Sequence, residues 1–131
     1  MTTKLLAVGQ GASPGRASGP LALSADAVRA FGGRGTPAIF VRAEMDADDM
    51  PAVRVAAGVV TTRGGITGDG AVAARVLGMP CLVGMSTVAI RSDRTALLVS
   101  TPEGEVVVAE GEIVSIVVEG ARGELSLGVI D

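Results

Sequence analysis

One stretch gathers most of the residues able to do chemistry: Thr61-Thr62-Arg63-Gly64-Gly65-Ile66-Thr67-Gly68-Asp69-Gly70-Ala71-Val72-Ala73-Ala74-Arg75. A glycine-rich turn runs here into a helical segment. The start of a helix presents free backbone N–H groups and the positive end of its dipole, both of which favour negative charge. Glycine lets the backbone approach a ligand closely and adopt positive φ. Arg63, Gly64, Gly65, Thr67, Gly68, Asp69 and Arg75 therefore make a candidate anion loop. Arg63 and Arg75 suit phosphate, and equally suit a surface ion pair or a helix-end charge. The Thr67 hydroxyl suits an anion, or it caps the helix.

Asp69 has three readings. As an N-cap it stabilises the helix by roughly 0.5–2 kcal/mol over alanine, and this reading comes first. As a standing anion it occupies the place where a bound phosphate would sit. As a nucleophile it forms an acyl phosphate, chemistry that normally needs Mg²⁺ held by further carboxylates. Asp48 and Asp49 are the acidic cluster nearest in sequence.

Other chemistries lack their residues. The chain has no histidine, so serine or cysteine triads of the usual kind have no base. Zinc would need Cys or His in numbers absent here, and neither a metal site nor a cofactor is expected. Cys81 sits in an apolar run and reads as an inert core thiol. As a single cysteine it forms no internal disulfide and suits a reducing cytoplasm, the expected location. With net charge −3, no Trp or Tyr, and only Phe31 and Phe40 to stack on bases, nucleic-acid binding is not expected. No apolar run approaches the roughly 20 residues of a membrane span. Met1-Thr2-Thr3-Lys4-Leu5 leads into Gly and Pro rather than a signal-peptide core.

The 131 residues, 48% of them hydrophobic, suffice for one domain with a real core. Gln10 to Gly19 reads as a turn-rich opening, because Gly and Pro oppose a long regular element. Pro20–Leu23 reads as a short strand, and Ser24 caps a helix through Phe31 that Gly32 to Gly35 end. Ala38–Val41, Gly58–Val60 and Cys81–Val83 are short apolar runs bounded by turn signals, hence buried strands. Asp46 to Met50 opens a short helix with Pro51 in its first turn. A helix from about Gly70 to Leu77 follows the loop, with Gly78 as its cap and Pro80 as its stop. Ala96–Val99, Glu105–Val108 and Ile113–Val118 complete a β-rich end. Strands alternating with helices, then a run of strands, indicate an α/β domain with a mixed sheet and short helices over residues 1–131.

The loop resembles the signature of the mobile, phosphohistidine-bearing domain of phosphoenolpyruvate-utilising enzymes, T-x-x-G-G-x-T-S-H-A-A-x-x-A-R. Further blocks follow in the family's order. Ala12-Ser13-Pro14-Gly15 with Gly19 resembles its opening A-S-P-G-x-x-x-G. Arg42-Ala43-Glu44 and Asp46 to Met50 resemble R-x-E-T-x-P-E-D-L. Gly78-Met79-Pro80-Cys81-Leu82-Val83-Gly84 resembles G-x-P-x-V-x-G, and Glu119 to Gly128 resembles the closing D-G-x-x-G segment. The likeness covers about residues 11–128 and is greatest to the central domain of pyruvate phosphate dikinases.

The resemblance implies a swivelling β/β/α fold that moves between a nucleotide-binding domain and a phosphoenolpyruvate-binding barrel. It also implies that Gly68-Asp69-Gly70 stands where the family has Ser-His-Ala, with Asp69 at the phospho-accepting position. No catalytic residue is then expected. Neither of the two flanking domains fits into 131 residues, so partners in trans are implied, or a departure from that chemistry. The first functional expectation is an inactive docking or regulatory module that binds another protein, such as a nucleotide-binding or phosphoenolpyruvate-binding phosphotransferase chain. The alternatives are a phosphoryl carrier working through Asp69 and a phosphate- or phosphoenolpyruvate-binding domain.

Overall fold

The computed structural model describes residues 3–130; Met1 and Thr2 of the N-terminal reading, and Asp131, lie outside them. The elements run β1 (Lys4–Ser13), β2 (Gly15–Ala22), α1 (Ala25–Gly33), β3 (Ile39–Arg42), a 3-10 turn (Ala47–Asp49), α2 (Met50–Val53), β4 (Gly58–Thr61) and α3 (Asp69–Leu77). They continue with β5 (Cys81–Val83), β6 (Val88–Ile90), β7 (Ala96–Thr101), β8 (Gly104–Ala109), β9 (Ile113–Glu119) and β10 (Arg122–Leu127).

Seven strands close into a barrel in the order β1-β10-β9-β2-β3-β4-β5, and β6-β7-β8 form a second sheet. The barrel is mixed: β2 to β5 pair in parallel, with α1, α2 and α3 in the crossovers, and its other pairs are antiparallel. The α/β class with a mixed sheet and short helices is therefore as expected, and the closure of the sheet is an addition to it.

The short apolar runs are strands buried on both faces, which removes the apolar–polar alternation of a half-exposed strand. Ile39, Val41, Val60 and Leu82 join one core cluster with Leu6, Leu21, Ile116 and Leu125. Their neighbours Phe40, Val59, Cys81 and Val83 face a second cluster with Val28, Ala52, Val53, Ala71 and Ala74 from the helices. Leu97, Val99 and Val108 of the second sheet belong to the first cluster.

The opening corrects one expectation. Residues 10–19 are mostly strand, broken only at Pro14. Their glycines serve close contact: a Cβ at Gly11 would lie 2.4 Å from the Gly120 carbonyl oxygen, and one at Gly19 would lie 2.3 Å from that of Pro37. β6 was not anticipated, and β10 was read only as a closing motif.

The caps follow their sequence signals. Ser24 accepts a hydrogen bond from the Ala27 N–H at 3.1 Å. Helix α1 runs through Gly32 and Gly33, two residues past the expected end, and stops at Arg34. Gly78 caps α3 in the left-handed conformation, φ 71°. Among the described residues no helix is long and apolar enough to cross a membrane.

Candidate functional site

Strands β3, β4 and β5 run parallel and end side by side, and their carboxyl-end loops are stitched together. The Thr62 N–H donates to the Arg42 carbonyl at 3.0 Å, and those of Arg63 and Gly64 donate to Ala43 at 2.9 and 3.2 Å. The Gly84 N–H after β5 donates to Gly64 at 3.1 Å. Parallel α/β strands, in open sheets and in closed barrels alike, place ligands at their carboxyl ends. Here a cleft of about 400 Å³ opens, lined by Glu44, Met45, Thr61, Arg63, Gly64, Gly65, Thr67, Gly68, Asp69, Gly70 and Ala71. Six of the seven residues expected from sequence are among them.

Arg75 is the exception. Its guanidinium donates to the carbonyl of Ile66 at 2.7 Å and to that of Ala12 at 3.1 Å. It thus ties the loop and the end of β1 to α3, and it makes no ion pair among the described residues.

The capping expectation for Asp69 is corrected. The N-cap is Gly68, extended at φ −70° and ψ 163°, and no side chain caps the helix. A turn from the Gly68 N–H to the Gly65 carbonyl, 3.0 Å, sets this geometry. Glycine is an acceptable N-cap, so the side-chain cap is dispensable. Asp69 is instead the first residue of α3 and is exposed. Its carboxylate makes no hydrogen bond or ion pair among the described residues, and it lies where the helix dipole favours negative charge. Thr67 caps nothing either.

Glu44 is a cleft residue that the sequence reading did not single out. It lies two residues beyond β3, and the parallel register that sets Arg42 beside Thr61 brings it to the loop. Its segment is held from behind by Asp49, which is 2% exposed. One Asp49 oxygen accepts from Arg42 Nη1 at 2.7 Å, and the other accepts from the Asp46 N–H at 3.0 Å, completing a capping box. Asp49, of the acidic pair noted in the sequence, thus braces the site from outside the cleft, while Asp48 is exposed.

Beneath the loop lies the Thr61 hydroxyl, buried and with no hydrogen-bond partner among the described residues. An orphan of this kind costs about 1–3 kcal/mol. Gly64 sits over it: a Cβ there would come within 2.9 Å of the hydroxyl oxygen. Cys81 is fully buried, as expected of a core thiol; burial pushes its thiol up to about 12, and the positive charge of Arg75 opposes this only in part. Among the described residues no group of three or more His, Cys, Asp or Glu side chains lies together as metal ligands would.

A family model described as the PEP-utilising enzyme, mobile domain, matches residues 35–123. Pyruvate, phosphate dikinase 1, chloroplastic, of Arabidopsis thaliana is 36% identical over 125 residues, covering 95% of this chain and 12% of the relative. Pyruvate, phosphate dikinase 2 of Oryza sativa subsp. japonica is 37% identical over 125 residues, 95% of this chain and 13% of the relative. Pyruvate, phosphate dikinase of Rhizobium meliloti (strain 1021) is 32% identical over 126 residues, with 96% and 13% covered. The chain thus spans about an eighth of the length of these relatives.

Proposed function

The chain belongs to the mobile-domain family of PEP-utilising enzymes, and from that premise we propose that it is a docking or regulatory module without phosphoryl-transfer activity of its own. The observation carrying this reading is an exposed Asp69 at the start of α3, unpaired among the described residues, in a chain that contains no histidine. A carboxylate cannot replace imidazole as an acceptor giving a transferable N–P bond, but it does supply permanent negative charge at the same end of the helix. The module would present this charge to a nucleotide-binding or phosphoenolpyruvate-binding phosphotransferase chain, in the place of a charged carrier. The names of the relatives make a dikinase-like chain the first partner to test. We place the module in the cytoplasm, a reducing compartment in keeping with its single buried cysteine.

Intact-mass spectrometry tests the proposal. The purified chain is incubated with phosphoenolpyruvate, or with ATP, phosphate and Mg²⁺, each with and without lysate of its source. The expected result is no gain of a phosphoryl mass. A gain abolished by Asp69→Asn would overturn the proposal and make the chain a carrier with an exchanged acceptor. A companion variant joins Gly68→Ser, Asp69→His and Gly70→Ala. The new Cβ at position 70 would meet the flexible Met45 sulfur at 3.2 Å, so the scaffold is expected to hold. If this variant accepts phosphoryl groups from a dikinase's other domains, the docking surfaces have been retained.

A further inference from the structure

We propose that the cleft receives a basic side chain, an arginine of the docking partner, between Glu44 and Asp69. The inference rests on the docking reading and adds the chemistry that the partner must bring. Three observations carry it. Two carboxylates line the cleft against one guanidinium, that of Arg63, and no ion pair joins any of the three among the described residues. The Thr61 hydroxyl lies under the same loop, buried and unpartnered, with a lone pair free to accept an N–H. The opening, about 400 Å³, admits the end of a long side chain.

Sign decides between ligand classes. The N-terminus of α3 and Arg63 attract an anion, but a free phosphate would enter beside two carboxylates. Asp69 already answers the helix dipole from within the first turn. A cation entering the cleft finds both Glu44 and Asp69 in its lining, with the Thr61 hydroxyl beneath. Arginine fits better than lysine, because its planar fork offers five donors in fixed directions that can bridge separate acceptors. The Thr61 oxygen lies under Gly64, so reaching it requires a local shift of that backbone against its hydrogen bonds to Ala43 and Gly84.

The test uses amide chemical shifts of the ¹⁵N-labelled full chain. N-acetyl-arginine amide is titrated at constant ionic strength, in parallel with N-acetyl-lysine amide, MgCl₂ and sodium phosphate. The expected result is saturable shifts confined to residues 43–45 and 61–71 with the arginine probe, and weaker ones with lysine. Glu44→Gln and Asp69→Asn should each weaken arginine binding roughly threefold to tenfold while the rest of the spectrum is unchanged. Saturation by Mg²⁺ or phosphate but not by arginine overturns the inference, as does arginine binding that both variants leave intact. If the arginine probe fails while capture of a dikinase-like partner still requires Asp69, this inference falls and the docking reading stands.

Discussion

Glycine serves opposite purposes in the barrel wall and in the loop. In the wall, Gly11 and Gly19 sit where a Cβ would be driven into a facing carbonyl, 2.4 Å and 2.3 Å away. There glycine removes bulk so that neighbouring backbone can close in. In the loop, a Cβ at Gly65 would meet nothing within 4 Å, and one at Gly68 would meet only the Gly65 backbone, 3.3 Å away at its nearest. There glycine leaves the cleft open, without the positive φ that would otherwise call for it. The wall is intolerant because its glycines are part of the packing, and the loop is permissive at Gly65 and Gly68, which border space, though not at Gly64, whose Cβ would press on Thr61 at 2.9 Å. A family can therefore exchange residues in the loop without losing the fold.

The comparison breaks most readily at the wall. Gly19→Ala should cost about 3 kcal/mol or more, because backbone on both sides must move. Thermal unfolding should then begin roughly 10 °C lower. A drop of only a degree or two would show that the wall is not so close-fitting. Asp49→Ala tests the brace between the two regions. Its partner Arg42 is 33% exposed, so the expected loss is about 1–2 kcal/mol rather than that of a fully buried pair. Hydrogen exchange at residues 43–46 should quicken in the same variant. Asp69→Ala should cost only about 0.3–1 kcal/mol, the worth of a carboxylate in a first helical turn, as read by urea unfolding. Gly65→Ala should fall within about 0.5 kcal/mol of the parent by the same measurement. A large effect there would mean that the loop is as tightly committed as the wall.

The sequence disclosed most of the molecule from α1 to β9, with β7, β8 and β9 where Ala96–Val99, Glu105–Val108 and Ile113–Val118 were expected, and missed β6 and the two ends. Strands β3, β4 and β5, helix α3 and the Ser24 and Gly78 caps were legible because each rests on a local signal: a short apolar run, a capping hydroxyl, a left-handed glycine. The loop was legible because its candidate residues are contiguous. The end of β2 was legible as the strand Pro20–Leu23, but β1 and the start of β2 were misread because a glycine needed for close contact looks the same in sequence as one needed for a turn. Only the facing strand tells them apart. The Asp69 cap was misread because Gly68, one residue earlier, also satisfies that position. Glu44 was quoted within a resembling block but given no role. Its place in the cleft depends on the pairing of β3 with β4, and pairing is not written in either segment alone. Arg75 was placed on the right helix, but its two carbonyl partners lie nine and 63 residues away, beyond any local pattern.

Barrel closure brings β1 and β10 side by side, with Lys4 opposite Leu127. Facing residues in such a pair lie about 5 Å apart. The polypeptide therefore enters and leaves the body at one spot, like both wires of a plug. A module so built can be spliced into a host loop as a cassette, with little stretching of the host on either side. The same adjacency permits circular permutation: a linker of a few residues joins the old ends, and the exposed turn at Pro102-Glu103 offers new ones.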